Sequence, residues 1–244
     1  MPLHNKPSYT RQIAAYTSGR ELKHHERALI DLISARVGDQ ENNKTFLDVG
    51  CADGLFLSHV QDRYPQWRLE GLEANEELIE RGTKSEIASQ IVLHHGDAYD
   101  FVPDNAYDVI AASGILAVFD DPLSVLERWI SWLKPGGRMF VYSIFNVQDI
   151  DTRVYFRNNF LPNGWETGLT GFSVQSTQRH LEQLGVEFEF IPFDLPVDLP
   201  KSENPIRSYT VRTEDGRRLV IAGNILCEFH HLVISKPVQC QKAQ

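Results

Sequence analysis

Residues 45–54 read Thr-Phe-Leu-Asp-Val-Gly-Cys-Ala-Asp-Gly, a short apolar run that ends among small residues. Phe46, Leu47 and Val49 predict a buried strand, and Gly50 predicts a tight turn directly after it. A helix with its apolar side chains on one face follows and ends near Tyr64-Pro65. The stretch therefore predicts one strand–turn–helix unit, and the chain on either side has to supply the rest of the sheet.

Further strands alternate with helices downstream of this unit. After residues 45–49 the apolar patterns predict strands at 67–72, 91–94, 107–112, 138–144, 186–193 and 225–235. Strands that alternate with helices of about ten residues favour a parallel sheet covered on both faces. We therefore predict an α/β fold, a doubly wound, Rossmann-like and mostly parallel seven-stranded sheet.

The same patterns divide the chain into segments that we expect to form one domain over residues 1–244. A polar lead-in and a helix occupy residues 1–40, and the strand–helix alternation fills 41–145. Residues 146–172 have no clear period but are rich in aromatic side chains, among them Tyr155, Phe156, Phe160 and Trp165. These form a lid over a pocket or the core of a small cap, and we favour the lid. Residues 173–236 resume the alternation and include a hairpin over 209–220 that turns at Asp215-Gly216.

Composition excludes several classes of protein. The 244 residues carry 24 Lys+Arg against 33 Asp+Glu, a formal net charge of −9. Since phosphate neutralisation needs a basic face, we expect no nucleic-acid partner. No apolar run approaches the roughly 20 residues of a membrane helix, so we also expect no membrane partner. The three cysteines, Cys51, Cys227 and Cys240, are far apart, which argues against a disulfide framework and favours a cytoplasmic protein.

The loop after the first strand carries the main chemical signal. Small residues at 50, 52 and 54 let the backbone approach a ligand closely, while the following helix directs its N–H groups toward that ligand. A dinucleotide-binding loop needs glycines at positions 1, 3 and 6 of its motif. Here positions 52 and 55 are alanine and leucine, so the spacing disfavours a nicotinamide cofactor.

Two further polar signals follow the next two predicted strands. Glu73 lies 19 residues after Gly54, the offset of a carboxylate that accepts hydrogen bonds from ribose hydroxyls. Residues 95–98 read His-Gly-Asp-Ala, where Asp97 can accept from an exocyclic amine. Since all three signals come at the carboxyl ends of strands, they predict one ligand site at that edge of the sheet.

This ordered set resembles the class I S-adenosylmethionine-dependent methyltransferases, in particular their small-molecule, type-11-like branch. The match extends over residues 40–145 and, more loosely, over 172–193. It includes the tip of the fourth strand, Ser113-Gly114-Ile115-Leu116, and the turn Leu133-Lys134-Pro135-Gly136-Gly137 before the fifth strand. The family's frequent polar pair after the fourth strand is absent, because residues 116–119 read Leu-Ala-Val-Phe.

The resemblance implies a transferase that moves a methyl group from S-adenosylmethionine to an oxygen or nitrogen of a small acceptor, with S-adenosylhomocysteine (SAH) as the product. The acceptor has to be aligned about 3 Å from the methyl carbon, with water excluded. The resemblance identifies no catalytic residue, no metal ligand, and no choice between monomer and homodimer. The cofactor-binding residues it implies are Asp48, Gly50, Cys51, Ala52, Gly54, Glu73, Ala74, Asn75, Gly96, Asp97, Ala98, Ser113 and Gly114.

Some residues have structural interpretations beside the functional ones. Asp48 either touches the ligand or orients the loop, and Asp97 either contacts the ligand or caps a helix. Cys51 is expected to be a small buried side chain rather than a reactive thiol. Asp120-Asp121 is expected to be a solvated helix start. Asp149 and Asp151 are expected to be surface-loop residues rather than a base or an ammonium ligand.

The polar lead-in and the histidine pairs allow further expectations about the ligands of this chain. Tyr16 and Arg20 are candidates to hold the cofactor's carboxylate, since Arg pairs bidentately with carboxylates. The histidine pairs at 24–25, 94–95 and 230–231 lack metal-ligand spacing, so no metal site is expected. The alternatives to a small-molecule enzyme are a methyltransferase that acts on a macromolecule and a cofactor-binding scaffold without catalysis.

Overall fold

The computed structural model describes residues 21–38, 43–85, 91–157, 159, 165–167, 169–203, 207–223 and 225–238. Within these ranges, no helix combines the length and the apolar character that a membrane crossing requires. The same ranges contain no group of three or more His, Cys, Asp or Glu side chains placed to hold a metal ion. The lead-in residues Tyr16 and Arg20, and Phe160 of the aromatic segment, lie outside the described residues.

The described part of the chain has five α-helices and thirteen strands. The helices are α1 His24–Val37, α2 Leu55–Arg63, α3 Glu76–Thr83, α4 Pro122–Ser131 and α5 Val174–Gln183. The strands are β1 Thr45–Val49, β2 Arg68–Glu73, β3 Ile91–His95, β4 Tyr107–Ser113, β5 Leu133–Asn146, β6 Tyr155–Phe156, β7 Glu166–Thr167, β8 Phe172–Ser173, β9 Glu187–Pro192, β10 Tyr209–Arg212, β11 Arg218–Ala222, β12 Ile225–Cys227 and β13 Phe229–Ser235.

Seven strands form the main sheet in the order β3-β2-β1-β4-β5-β13-β9, with β8 paired to the end of β5. The first five strands of this order, from β3 through β2, β1 and β4 to β5, run parallel to one another. Strand β13 runs antiparallel to both its neighbours. The strand order reverses between β1 and β4, and open α/β sheets bind ligands at such a switch point. The predicted mostly parallel, Rossmann-like sheet is confirmed.

Two apolar layers cover the two faces of this sheet. Leu29 and Ile33 of α1 and Phe56 of α2 pack on one face, while Leu126 and Trp129 of α4 pack on the other. Alternate residues of the central strands supply both layers, which is why those strands read as continuous apolar runs. Burial on both faces fixes the strand register and hence the positions of the loops at the carboxyl edge.

The structure corrects three predicted boundaries. Residues 225–235 are two strands rather than one, since β12 belongs to the three-stranded sheet β10-β11-β12 and only β13 joins the main sheet. The sequence predicts a helix over residues 76–81 that stops at Gly82, but helix α3 continues through this glycine to Thr83. Strand β5 begins at Leu133, where it pairs with Tyr107 before the register shifts. In each case a tertiary contact overrides the local signal.

The predicted hairpin is present. Strands β10 and β11 pair antiparallel, and Thr213 and Arg217 close the turn around Asp215-Gly216. Residues 152 and 171 pair across the base of the aromatic segment. Within that segment Tyr155 is 51% and Trp165 61% exposed, so these two rings do not form the core of a cap.

Candidate functional site

The loop after β1 is held against the end of β2 by its own backbone. The N–H groups of Gly50 and Cys51 both donate to the Leu72 carbonyl, at 2.7 and 3.1 Å. Gly50 and Gly54 have φ near +80°, which glycine adopts without steric cost. Ala52 also has positive φ, at 51°, so the alanine occupies a left-handed position despite its methyl group. The turn therefore has the sharp geometry that the small residues predict.

Glu73 links this loop to the next one. Its Oε2 accepts from the Ala52 N–H at 3.1 Å, and its Oε1 accepts from the Asn75 N–H at 2.8 Å. The Glu73 carbonyl in turn accepts from the Gly96 N–H at 2.9 Å. One residue thus connects the loops that follow β1, β2 and β3, and its half-buried carboxylate lies between the first two.

The residues after Glu73 have structural roles in addition to their place at this edge. The Asn75 side-chain oxygen accepts from the N–H groups of Glu77 and Leu78 and so caps α3. The Ala74 carbonyl lies 3.2 Å from His95 Nε2. Helix α3 therefore starts at a position fixed by the same loop that carries Glu73.

The segment after β3 forms a turn, not a helix. Asp97 Oδ1 accepts from the Tyr99 N–H at 2.9 Å, and the Asp97 carbonyl accepts from Asp100 and Phe101. The Ala98 carbonyl accepts from the Trp129 indole at 3.1 Å, and the Ala98 side chain is buried. The helix-cap interpretation of Asp97 is therefore wrong, whereas its contact with a ligand stays a prediction.

The tip of β4 completes the edge. Gly114 donates its N–H to the Tyr142 carbonyl at 2.8 Å, and its φ is +75°. A Cβ built on Gly114 would meet no atom within 4 Å, so the space above this residue is open. Beside it the Ser113 hydroxyl is buried without a hydrogen-bond partner among the described residues. Both features point to room for a polar ligand group at this tip.

Asp48 and Cys51 lie inside the protein at the base of this edge. Asp48 is a buried residue of β1 whose Cα pairs with Gly71 and Ala111 on the neighbouring strands. Burial raises the pKa of the Cys51 thiol well above its usual range, helped by the nearby Asp48 carboxylate. A thiol so placed is a weak nucleophile, which agrees with the expectation that Cys51 is a small buried side chain.

Two glycines outside the predicted site allow β2 and α3 to pack closely against the loop after β1. A Cβ on Gly71 of β2 would lie 2.6 Å from Cys51 Sγ, and one on Gly82 of α3 would lie 3.0 Å from the Asp53 carbonyl oxygen. Each glycine therefore permits close approach to the β1 loop. A glycine inside a strand or helix pattern is the available sequence signal for such an approach.

The expectation of a solvated Asp120-Asp121 pair is half wrong. Asp121 caps α4, since its carboxylate accepts from the Ser124 N–H at 3.3 Å and from the Ser124 hydroxyl at 2.7 Å. Asp120 is buried, with an exposed fraction of 5%. The Tyr155 hydroxyl lies 3.4 Å from its Oδ2, and a local sequence pattern could not reveal this contact with a residue far along the chain.

Asp149 and Asp151 bind the start of α5 rather than a ligand. Asp149 accepts from the Ser173 hydroxyl and from Arg179, and Asp151 accepts from the Ser173 N–H and the Ser176 hydroxyl. Hydrogen bonds from Arg179 and Ser173 hold the pKa of Asp149 below its usual range. These loop aspartates thus hold Ser173, the N-cap residue of α5, in place.

Comparison with known proteins places this geometry in a family. Residues 22–189 match the family model described as a methyltransferase domain. The chain is 22% identical over 148 residues to malonyl-[acyl-carrier protein] O-methyltransferase 2 of Ilyobacter polytropus, covering 56% of each chain. It is 32% identical over 119 residues to nocamycin O-methyltransferase of Saccharothrix syringae, covering 46% of this chain and 40% of that one. The chain thus spans about half the length of the curated relatives it matches.

Solved structures share the fold at low sequence identity. A DhpI–SAH complex superposes with a TM-score of 0.61 at 14% identity, over 96% of this chain and 97% of that one. The plantazolicin methyltransferase BpumL, solved with a substrate analogue and SAH, gives a TM-score of 0.59 at 14% identity, over 93% and 90% of the two chains.

Proposed function

The chain belongs to the methyltransferase domain family, and from this premise we propose that it transfers the methyl group of S-adenosylmethionine to an oxygen or nitrogen of a small-molecule acceptor. Curated relatives carry names of this kind, among them nocamycin O-methyltransferase and trans-aconitate 2-methyltransferase of Azoarcus. Their names support a small acceptor, as opposed to a macromolecule.

The position of Glu73 is the observation that carries the proposal. Its carboxylate lies between the loops after β1 and β2, within reach of a sugar bound across them. The Ser113 hydroxyl, which has no partner within the described ranges, and the open space above Gly114 lie at the tip of β4, the next strand but one in the sheet. The residues present therefore fit a nucleoside whose ribose lies at Glu73 and whose sulfonium end extends toward Ser113.

The chain's own residues would do three things in the reaction. Glu73 accepts from the ribose hydroxyls, while Gly96, Asp97 and Ala98 present polar groups to the base. The acidic side chains of this edge, Asp48 and Glu73, favour a cationic ligand over a neutral analogue. When bound, the sulfonium supplies an activated methyl group, so the protein mainly aligns the acceptor and excludes water.

The acceptor would bind beyond the β4 tip, between the ends of β4 and β5 and the chain that crosses them. The Thr170 N–H donates to the Ala117 carbonyl at 2.8 Å, which ties the segment after β7 to the loop after β4. Ala117 and Ile144 also pack against Val220 and Cys227 of the small sheet. These contacts support a pocket wall that includes Thr170 and residues of β11 and β12.

Calorimetric titration with SAH tests the cofactor site. We expect micromolar binding by the wild type and a loss of more than tenfold, about 1.4 kcal/mol, in Glu73→Ala. NAD should not bind, because the loop lacks the dinucleotide spacing. Glu76→Ala, a change of the same kind on the neighbouring helix α3, is the matched control and should bind SAH like the wild type.

Folded protein that does not bind SAH would refute the proposal. Binding of SAH by the wild type and by Glu73→Ala with equal affinity would retain a cofactor site but remove Glu73 from it. Tight SAH binding without methyl transfer to any acceptor of a broad panel would favour the non-catalytic scaffold.

A further inference from the structure

Asp120 is a buried carboxylate at the edge of the proposed acceptor pocket. It follows the 3₁₀ turn Leu116–Val118 after β4 and precedes α4. Only 5% of its surface is exposed, although its neighbour Asp121 caps α4 in the usual way. Capping of α4 therefore accounts for Asp121 but not for Asp120.

The hydrogen bonds of Asp120 are incomplete. Oδ2 receives one long bond, from the Tyr155 hydroxyl at 3.4 Å. Oδ1 is buried and has no partner among the described residues. None of the ion pairs within the described ranges includes Asp120, although ten other Asp and Glu side chains take part in them. Buried carboxylates are ordinarily paired or fully hydrogen-bonded, so this one is short of a donor.

Other unpartnered polar atoms lie on the same elements. The hydroxyls of Ser143 on β5 and of Thr170, shortly before β8, are buried and have no partner in the part of the chain that the structure describes. Both residues line a small cavity with Leu116 and Pro122. Leu116 and Pro122 flank the stretch that contains Asp120. Several unsatisfied groups around one junction are expected where a ligand supplies the missing partners.

We propose that Asp120 binds the amine nitrogen of the methyl acceptor and takes the proton that this nitrogen loses, which makes the protein an N-methyltransferase of small amines. The proposal rests on the function proposed above. A cationic or polar N–H group of the acceptor supplies the hydrogen-bond donor that Oδ1 lacks, whereas Oδ2 already accepts from the Tyr155 hydroxyl.

The reaction is balanced with these groups alone. An acceptor that binds as its ammonium ion first gives one proton to Asp120, which releases it to solvent and leaves the nitrogen lone pair free. The amine lone pair then forms the new C–N bond while the methyl C–S bond breaks and its electron pair stays on sulfur. The alkylated nitrogen then carries one positive charge and transfers a proton to Asp120, which later releases it to solvent. A carboxylate beside the nitrogen stabilises the positive charge that develops there in the transition state.

The same carboxylate disfavours acidic acceptors. A second carboxylate brought next to buried Asp120 would face a like charge in a site with little solvent. The chain should therefore differ from its relative named for trans-aconitate, a carboxylate-bearing acceptor. Acceptor charge is thus the property in which we expect this chain to depart from that relative.

Paired ligands test the proposal in the presence of saturating SAH. The probes are butylamine, benzylamine and phenethylamine, each compared with the alcohol of the same carbon skeleton and titrated by calorimetry. We expect the wild type to bind at least one amine on the order of tenfold more tightly than its alcohol, the strength of a charge-assisted hydrogen bond. Asp120→Asn should lose that preference. Asp121→Asn, which removes the same charge one residue away and keeps a capping side chain, should retain it.

Three results separate the possible failures. No SAH binding would mean that the function proposed above is wrong, whereas normal SAH binding without an amine preference in the wild type would overturn only the role of Asp120. A preference that survives in Asp120→Asn would overturn it as well. As a second readout, Asp120→Asn should unfold at a temperature equal to or above that of the wild type, since it replaces an incompletely bonded carboxylate. A clear decrease would indicate a structural residue.

Discussion

Glu73 and Asp120 are two carboxylates near the same edge of the sheet, and their hydrogen bonds differ. Glu73 accepts from two backbone N–H groups, whereas Asp120 accepts one long hydrogen bond and its other oxygen has no partner among the residues that the structure describes. Glu73 therefore organises the loops even without a ligand, and Asp120 gains its partner from one. Variants at these two positions should separate cofactor binding from acceptor selection.

His231 allows a prediction about pH at the same scale. This residue of β13 is 3% exposed, both its ring nitrogens lack partners among the described residues, and it lies against Tyr142 and Phe193. Burial lowers the pKa of His231 to about 4. Between pH 6.5 and 4 the unfolded chain therefore binds a proton at this position that the folded chain does not, so folding stability falls as pH decreases.

His231 is expected to contribute about 3 kcal/mol to the decrease in the free energy of unfolding once the pH is below both of its pKa values. Denaturant unfolding at pH 7 and at pH 4.5 measures it, with His231→Phe compared with the wild type so that other groups cancel. The variant should lose less stability on acidification. An equal loss in both proteins would show that His231 is protonated in the folded state.

At the scale of elements, the β1 loop and α3 approach each other because Gly82 has no side chain. The Asp53 carbonyl and the Leu93 side chain occupy the space that a Cβ would need. Helix propensity and tertiary packing therefore oppose each other at this one position. The loop conformation that the site depends on is partly set by the helix that follows β2.

Gly82→Ala should destabilise the protein, although alanine stabilises an ordinary helix interior by about 1 kcal/mol relative to glycine. The added methyl has to displace Leu93 or push α3 away from the loop, so SAH affinity should fall together with the melting temperature. Thr83→Ala, at the next and exposed position of α3, is the control for helix propensity. A more stable Gly82→Ala variant with normal SAH affinity would contradict this interpretation of the contact.

At the scale of the whole molecule, the reactivity of two buried thiols shows whether the protein unfolds as one cooperative unit. Cys51 lies in the β1 loop, and Cys227 lies in the small sheet β10-β11-β12 that packs on Ala117 and Ile144. Burial raises the pKa of Cys227 to about 11 and that of Cys51 well above its usual range. Both thiols therefore react slowly with alkylating reagents until the protein opens.

If residues 1–244 form one cooperative domain, iodoacetamide should label Cys51 and Cys227 at the same rate under native conditions. SAH at one hundred times its Kd should slow the labelling of both thiols, because it adds about 2.7 kcal/mol to the free energy of unfolding. Peptide mass spectrometry of a Cys240→Ser background gives the two rates separately. Faster labelling of Cys227 would instead identify the small sheet as a separately opening unit.

Much of the fold was predictable from local patterns. The apolar runs of β1 and β4 and the turn chemistry at Gly50 and at Asp215-Gly216 depend on neighbouring residues, so a sequence pattern reveals them. The boundaries that failed, at Gly82 and at Cys227, depend on contacts between distant segments. The same division holds in the site, where Glu73 is found by its spacing from Gly54 but Gly71 is understood only from its contact with Cys51.

The sequence by itself determined the alternation of strands and helices in the main sheet and the family to which the chain belongs, and it predicted the edge of the sheet at which a ligand would bind. These follow from periodicity and from motif spacing, which are properties of neighbouring residues. Only the tertiary structure decided that Asp120 is buried while Asp121 caps a helix, because burial depends on distant residues such as Tyr155, whose hydroxyl contacts Asp120. Two adjacent aspartates with identical local chemistry thus acquire different roles from the chain that packs over one of them.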